Sequence, residues 1–219
     1  MPSRYRSTQT LNPYIALADI LINLVLILLL FIPLILLVGT RGWDEVVYKK
    51  YQQQMEEAVN ERFPADERPV RENRNDAPGE QRWVFTKVRM FDSDSSADLP
   101  ILSQEGKDSL KAFASALNAH RDPKNRIWWR IRVESHVPLS KPRPTLNDEA
   151  ESLKLTGKRA TAVSVFLFEK CGIHPWELTT SGRGYQDLRD RERKSSPQNE
   201  RIDLLVISPP QRHAATLGK

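Results

Sequence analysis

The chain has 219 residues, with 33 Lys and Arg against 28 Asp and Glu and a formal net charge of +5. The charges alternate in sign along it and no basic run is interleaved with aromatics, which excludes the usual footprint of nucleic-acid binding. The lone cysteine, Cys171, excludes an internal disulfide and zinc-ligand spacing, and the absence of a phosphate-binding glycine loop, a nucleophile elbow or an HExxH segment argues against an enzyme.

Residues 1–12 read as a short tail carrying Arg4 and Arg6. Residues 13–39 read as a transmembrane helix, because Ile15 to Val38 is apolar except at Asp19 and Asn23. At 1.5 Å per residue that run reaches about 36 Å, enough to cross a hydrocarbon core of roughly 30 Å. It is longer than the apolar core of a signal peptide and no A-x-A site follows, so a retained anchor is expected. The short tail before the span and the large domain after it fit an inward N-terminus and an outward C-terminal domain. Asp19 and Asn23 stand one turn apart on one helix face. A carboxyl group in such a segment is costly and needs shelter from lipid, which implies partner helices around it. Poised between desolvation and local hydrogen-bond donors, it can take up and release a proton or bind a cation. Asn23 offers an oxygen that would suit Na⁺.

Residues 43–63 repeat Val46, Val47, Tyr51, Met55 and Val59 at helical spacing, an amphipathic stalk or plug helix with Trp43 at the membrane interface. Residues 64–81, with prolines at 64, 69 and 78, read as a linker able to reach roughly 50 Å if fully extended. Residues 82–208 read as a folded domain. Arg82 to Phe91 is its first strand, and Ser103 opens a helix that buries Leu110, Phe113, Ala114 and Leu117. Ile127 to His136 is a strand with Trp129, Ile131 and Val133 on one face and Arg130, Arg132 and Glu134 on the other. Asp148 to Lys170 is a long helix with Leu155, Ala162, Val163, Phe166 and Leu167 inward, ended by Gly172. Strands Thr179–Gly182 and Arg201–Ile207 flank a charged, mobile loop, Arg183 to Gln198, and residues 209–219 form a polar tail. The fold class is α+β, a single transmembrane helix followed by a β-α-β-α-β-β domain with its helices on one side of the sheet.

Two resemblances sharpen this reading. Tyr14 to Asp19 followed by the long apolar run resembles the single span of MotB-like stator subunits. In that family the aspartate carries the coupling ion, H⁺ or Na⁺, and a pentamer of a polytopic MotA-like partner surrounds two such helices. The segment after the span resembles the stator plug. The folded domain resembles the OmpA-like peptidoglycan-binding domain through five ordered motifs. These are Met90 to Ser95 with Leu102 to Gly106; Val133-Glu134-Ser135-His136; Leu155 to Ala160; Ser181 to Gly184; and Asn199-Glu200-Arg201-Ile202-Asp203.

This resemblance implies a homodimer in the bacterial inner membrane with a periplasmic domain that binds the stem peptide of peptidoglycan and no cofactor beyond the coupling ion. Arg159, Asn199, Arg201 and His136 fall on the family's polar positions, but Pro138 stands where the family has the aspartate that partners the arginine; Glu134 and Asp148 are the nearby carboxylates. Together the motifs point to the wall-anchored, ion-conducting subunit of a proton-driven motor. The departure at Pro138 favours a non-flagellar motor such as the anti-phage ZorB type over a flagellar one. The alternative is a membrane-tethered OmpA-like anchor without ion transport.

Overall fold

The computed structural model describes residues 13–72, 79–86, 88–92, 99–122, 126–139, 141 and 143–209, with side chains for all of these except 13, 16 and 36–44. The expected tail 1–12, the turn at 93–98, the interfacial side chain of Trp43 and all but the first residue of the tail 209–219 lie outside the described residues. The chain divides between Val46 and Val47 into two compact units. Helix α1, Pro13–Arg62, contributes residues to both.

In the first unit, Leu17–Ile35 is a 19-residue stretch of mean hydropathy 2.7, none of it buried. At 1.5 Å per residue it is about 28 Å long, matched to the hydrocarbon core of a bilayer. Asp19 and Asn23 are exposed on it.

The second unit is built on a five-stranded sheet of order β1-β2-β5-β3-β4. The strands are β1 (Val70–Glu72), β2 (Glu80–Phe85), β3 (Arg130–His136), β4 (Leu178–Gly182) and β5 (Arg201–Ile207). Only β3 and β4 pair in parallel; the other neighbours are antiparallel. Helices α2 (Gln104–Asn118) and α3 (Leu146–Cys171) supply the crossovers. α2 starts where the Ser103 hydroxyl accepts the Gly106 N–H at 2.9 Å, one of the donors a helix N-terminus leaves unpaired. α3 starts with a reciprocal capping box between Thr145 and Asp148 and stops at Gly172, whose φ of 70° is the left-handed region that favours glycine.

Strand side chains alternate between faces, and the two faces of this sheet differ sharply. One carries Trp83, Phe85, Ile131, Val133, Ile202 and Leu204 into a core shared with α2 and α3. Phe113 stands edge-on to Trp83 and Phe85, at centroid distances of 5.9 and 5.5 Å. The other face carries Arg82, Glu134, His136, Arg201 and Asp203, all buried.

Four sequence expectations change. Residues 47–62 are helical, but they are no free stalk: Met55, Ala58 and Val59 are buried in the domain core together with Phe63. A stalk and a core helix share one period, so spacing alone does not separate them. The expected linker contains β1, whose Val70 pairs with Val84 of β2. The first strand stops at Phe85, and Phe91 instead makes an isolated bridge with Leu102. Leu155 and Trp129 are exposed rather than inward; the Arg130 guanidinium covers the Trp129 ring at 4.7 Å.

Candidate ligand-binding site

Beyond β2 the chain doubles back on the start of α2. Asp92 N–H donates to the Ile101 carbonyl and Ser103 N–H to the Met90 carbonyl, each at 3.1 Å. A Cβ at Gly106 would come within 2.7 Å of the Met90 oxygen, so a glycine is what lets α2 begin this close. The hairpin-like arrangement forms one wall of a pocket of about 350 Å³. Arg159 of α3, Glu200, Arg201 and Ile202 around the start of β5, and Arg89, Phe91 and Asp92 also line it.

Two arginines give this pocket its character. The Arg159 guanidinium sits over the Phe91 ring at 5.1 Å and pairs with Glu200 at 2.8 Å. Arg201 is wholly buried; its Nε donates to Asp203 at 3.1 Å and its Nη2 to the Asp187 carbonyl at 3.0 Å. Among the described residues, neither Arg159 Nε nor Arg201 Nη1 has a hydrogen-bond partner, although both atoms are buried. Buried donors without partners are uncommon in folded proteins. Asp92 and Arg89 stand exposed at the rim.

Behind Arg201 lies the buried charge network of the open sheet face. Arg82 Nη1 bridges Glu134 at 2.9 Å and Asp203 at 2.7 Å. Arg183 pairs with Glu134 at 2.5 Å, and His136 Nε2 lies 3.2 Å from Asp203. Burial alone would raise the Asp203 carboxyl, but the contact with His136, the Arg201 charge and the Arg82 hydrogen bond hold it down at about 2. Burial pushes Glu134 up in the same way, and Arg183 and Arg82 more than offset it, so its carboxyl lies below the usual range. Glu134, His136 and Asp203 bring three potential ligand atoms within 4.8 Å of one another. The Arg82 guanidinium already donates to both carboxylates, so the positive charge a metal would supply comes from arginine.

The structure therefore separates the residues singled out from sequence. Arg159 and Arg201 share the pocket. Asn199 is fully buried and does not line it. Its Oδ1 accepts the Asp190 N–H at 2.9 Å, and its Nδ2 faces the carbonyls of Asp190, Arg193 and Lys194 at 3.0 to 3.2 Å. The loop expected to be mobile is thus tied down, and Leu139 N–H also donates to the Lys194 carbonyl at 3.0 Å. His136 belongs to the charge network rather than the pocket. Pro138 is not among the pocket residues, nor are the alternatives weighed for the missing carboxylate: Glu134 is paired in the network, and Asp148 caps α3 and pairs with Lys141 at 2.6 Å. Asp92 lines the pocket with Arg159, and Glu200 is the other carboxylate there. The position of Asp92 in the Met90 to Ser95 motif was the available signal, but only the chain reversal brings it to the same pocket. Asp19 and Asn23 lie in the other unit and share a helix face there.

The OmpA family matches residues 90–201, just over half of the chain. The chain belongs to the OmpA family. The matched segment covers both crossover helices together with Arg159, Arg201, Glu134 and His136, while Arg82 and Asp203 of the charge network lie outside it. A protein described as MotB-like from Desulfovibrio vulgaris matches at a TM-score of 0.55 and 14% identity, over 78% of this chain and 99% of that one. The cell-wall anchor of the type VI secretion system from Pseudomonas aeruginosa matches at a TM-score of 0.48 and 19% identity, over 70% of this chain and 96% of that one. The periplasmic domain of Helicobacter pylori MotB matches at 0.46 and 17%, over 66% of this chain and 84% of that one. At these identities the likeness is one of fold. No curated protein matches the chain.

Proposed function

We propose that this chain is the wall-anchored, ion-carrying subunit of a MotB-like membrane motor. The observation that carries the reading is the combination of an OmpA-family pocket, lined by both Arg159 and Asp92, with a membrane-length helix whose apolar run is interrupted by Asp19. A zwitterionic amino-acid end group, such as the diamino acid of a peptidoglycan stem peptide, needs one carboxylate and one guanidinium, and the pocket supplies both. The domain holds the wall while Asp19, sheltered by a polytopic MotA-like partner, takes up and releases a proton. The chain acts as an anchor and ion carrier, not a catalyst. Its span lies in the inner membrane with the OmpA-family domain outside.

The test is isolation from native membranes in mild detergent, with subunit counting. A polytopic partner in excess over two copies of this chain, and loss of proton flux in Asp19→Asn at unchanged abundance, are the expected results. Recovery of this chain without a partner, with Asp19→Asn fully active, leaves a plain wall tether. The replacement of the family aspartate by Pro138 favours a non-flagellar motor, which loss of phage resistance without loss of motility in a deletion strain would support.

A further inference from the structure

At the end of the sheet away from the pocket, the domain displays aromatic side chains that its own core does not use. Arg201 pairs with His136 at one end of β5 and Ile207 with Arg130 at the other, about 20 Å apart at roughly 3.3 Å per residue. The Trp129 N–H donates to the Ile207 carbonyl at 2.9 Å. Trp176 stands just before β4, which runs parallel to β3 and begins at the same end. Trp176 is 69% exposed and Trp129 39%, yet neither ring is loose. Trp176 is stacked on His174 at 4.2 Å, and the Arg130 guanidinium covers Trp129. Glu177, a carboxylate only 2% exposed, fixes the turn that carries Trp176. It accepts the His174 N–H at 2.9 Å and pairs with Arg121 at 2.7 Å and with Arg126. Arg126 also reaches the Trp129 carbonyl at 3.4 Å, so one arginine joins the two tryptophan-bearing segments. A buried carboxylate held by three donors is a costly way to present a ring to water. Indole rings bordered by arginines suit the headgroup layer of a bilayer, where their polar atoms stay hydrogen-bonded and their faces meet the upper acyl chains.

The path of the chain says which surface this end meets. Tyr48, at the start of the domain's share of α1, lies so close to Gly79 that a Cβ there would stand 2.8 Å from its ring. The Gly79 carbonyl in turn accepts the N–H of Ser208, the residue after Ile207, at 2.8 Å. The chain therefore enters the domain at the aromatic end and not at the pocket end. The apolar stretch stops at Ile35, and the path from Ile35 to Val47 measures about 18 Å as helix and at most about 40 Å fully extended. We propose that the end of the sheet carrying Trp129 and Trp176 docks on the phospholipid headgroup layer, which turns the pocket at the other end away from the bilayer. The inference rests on the membrane reading of Leu17–Ile35 and on neither wall binding nor ion transport.

The experiment uses the full chain in nanodiscs of phosphatidylcholine and phosphatidylglycerol. Of the five tryptophans, Trp83 and Trp128 are buried, so Trp43→Phe with Trp129→Phe leaves Trp176 to report, and Trp43→Phe with Trp176→Phe leaves Trp129. Replacing the phosphatidylcholine by a form brominated high in the acyl chain is expected to quench both reporters. Iodide in the water is expected to quench them less than it does in the detergent-solubilised chain. Emission that iodide quenches and brominated lipid does not, with or without added sacculi, overturns the docking. Shielding from iodide that appears only when sacculi are added assigns the surface to wall glycan, and shielding from both quenchers without sacculi assigns it to a second copy of the chain; either result overturns the proposal. A chain that does not enter nanodiscs overturns the membrane reading and this inference with it.

Discussion

Arg82 donates to Asp203 across 2.7 Å, although 121 positions separate them in the chain. The contact joins the first long strand of the domain to its last, and it does so on the sheet face away from the apolar core. Both partners are almost entirely buried. The pair forms only when β2 and β5 are paired, and with Glu134 of β3 the network spans the three central strands, so it is gained or lost with the pairing of those strands.

Acid should therefore unfold the domain in a defined window. Asp203 lies at about 2 in the folded protein against an ordinary value of 3.8, and Glu134 is also lowered. A lowered carboxyl contributes stability that is present above its unfolded value and is lost as pH falls through its folded value. The Asp203 shift corresponds to roughly 2–3 kcal/mol. Thermal melts are expected to be nearly constant from neutral pH to about pH 5 and to fall steeply between about pH 4 and pH 2. A melting temperature unchanged down to pH 2 would contradict the network's part in stability.

Met55→Ala tests whether residues 47–62 belong to the domain. Met55 is 1% exposed within the core cluster, and emptying such a site costs about 2–5 kcal/mol. The expected result is a lower midpoint for the whole cooperative transition of the domain, not a separate early loss of helix. Lys50→Ala, at an exposed position of the same helix, should change stability by less than about 0.5 kcal/mol.

Arg159→Ala removes the guanidinium over Phe91 and the pair with Glu200. Those contacts are partly exposed, so the stability loss should stay near about 1 kcal/mol. Sedimentation with purified sacculi should instead fall by roughly tenfold or more, as expected when a charge-assisted contact to a ligand is removed. Lys154→Ala, exposed on the same helix, should sediment like the wild type. Equal binding by Arg159→Ala and the wild type would place the wall contact elsewhere.

Asn199→Ala should loosen the loop without unfolding the sheet. It removes the acceptor of the Asp190 N–H and leaves the carbonyls of Arg193 and Lys194 without that amide, a cost of about 1–3 kcal/mol. Hydrogen exchange is expected to accelerate at the Asp190 amide and to stay slow in β5. Uniform acceleration across β5 would mean that Asn199 supports the sheet itself.

Much of this architecture was legible in the residues. The final strand, Arg201–Ile207, begins and ends where alternation places it, and Ser103 and Gly172 bound their helices as their side-chain chemistry predicts. Local rules sufficed there because each signal lies within a few residues of its effect. They failed for Val70–Glu72, too short and too near prolines to read as a strand, which forms because β2 offers it an edge. They also failed for the open sheet face. Arg82, Glu134 and Asp203 alternate with apolar residues as a solvated face would, yet all three are buried, with Arg183 of the following loop paired to Glu134. At the pocket, Arg159 was legible through its helix motif, whereas Asp92 joins the same pocket only through the chain reversal that brings Phe91 against Leu102.

The way Asn199 holds its loop has a consequence for how this surface can change over time. In the loop it grips Asp190, Arg193 and Lys194 solely through backbone atoms, while Asp190 and Arg183 add side-chain ties to the Arg193 N–H and to Glu134. Exposed positions such as Arg191 and Glu192 stand outside these ties. A lineage, or an experimenter, can rewrite the charges displayed there by substitution alone, keeping Asn199, Asp190 and Arg183, and so change what the surface presents while inheriting the same scaffold.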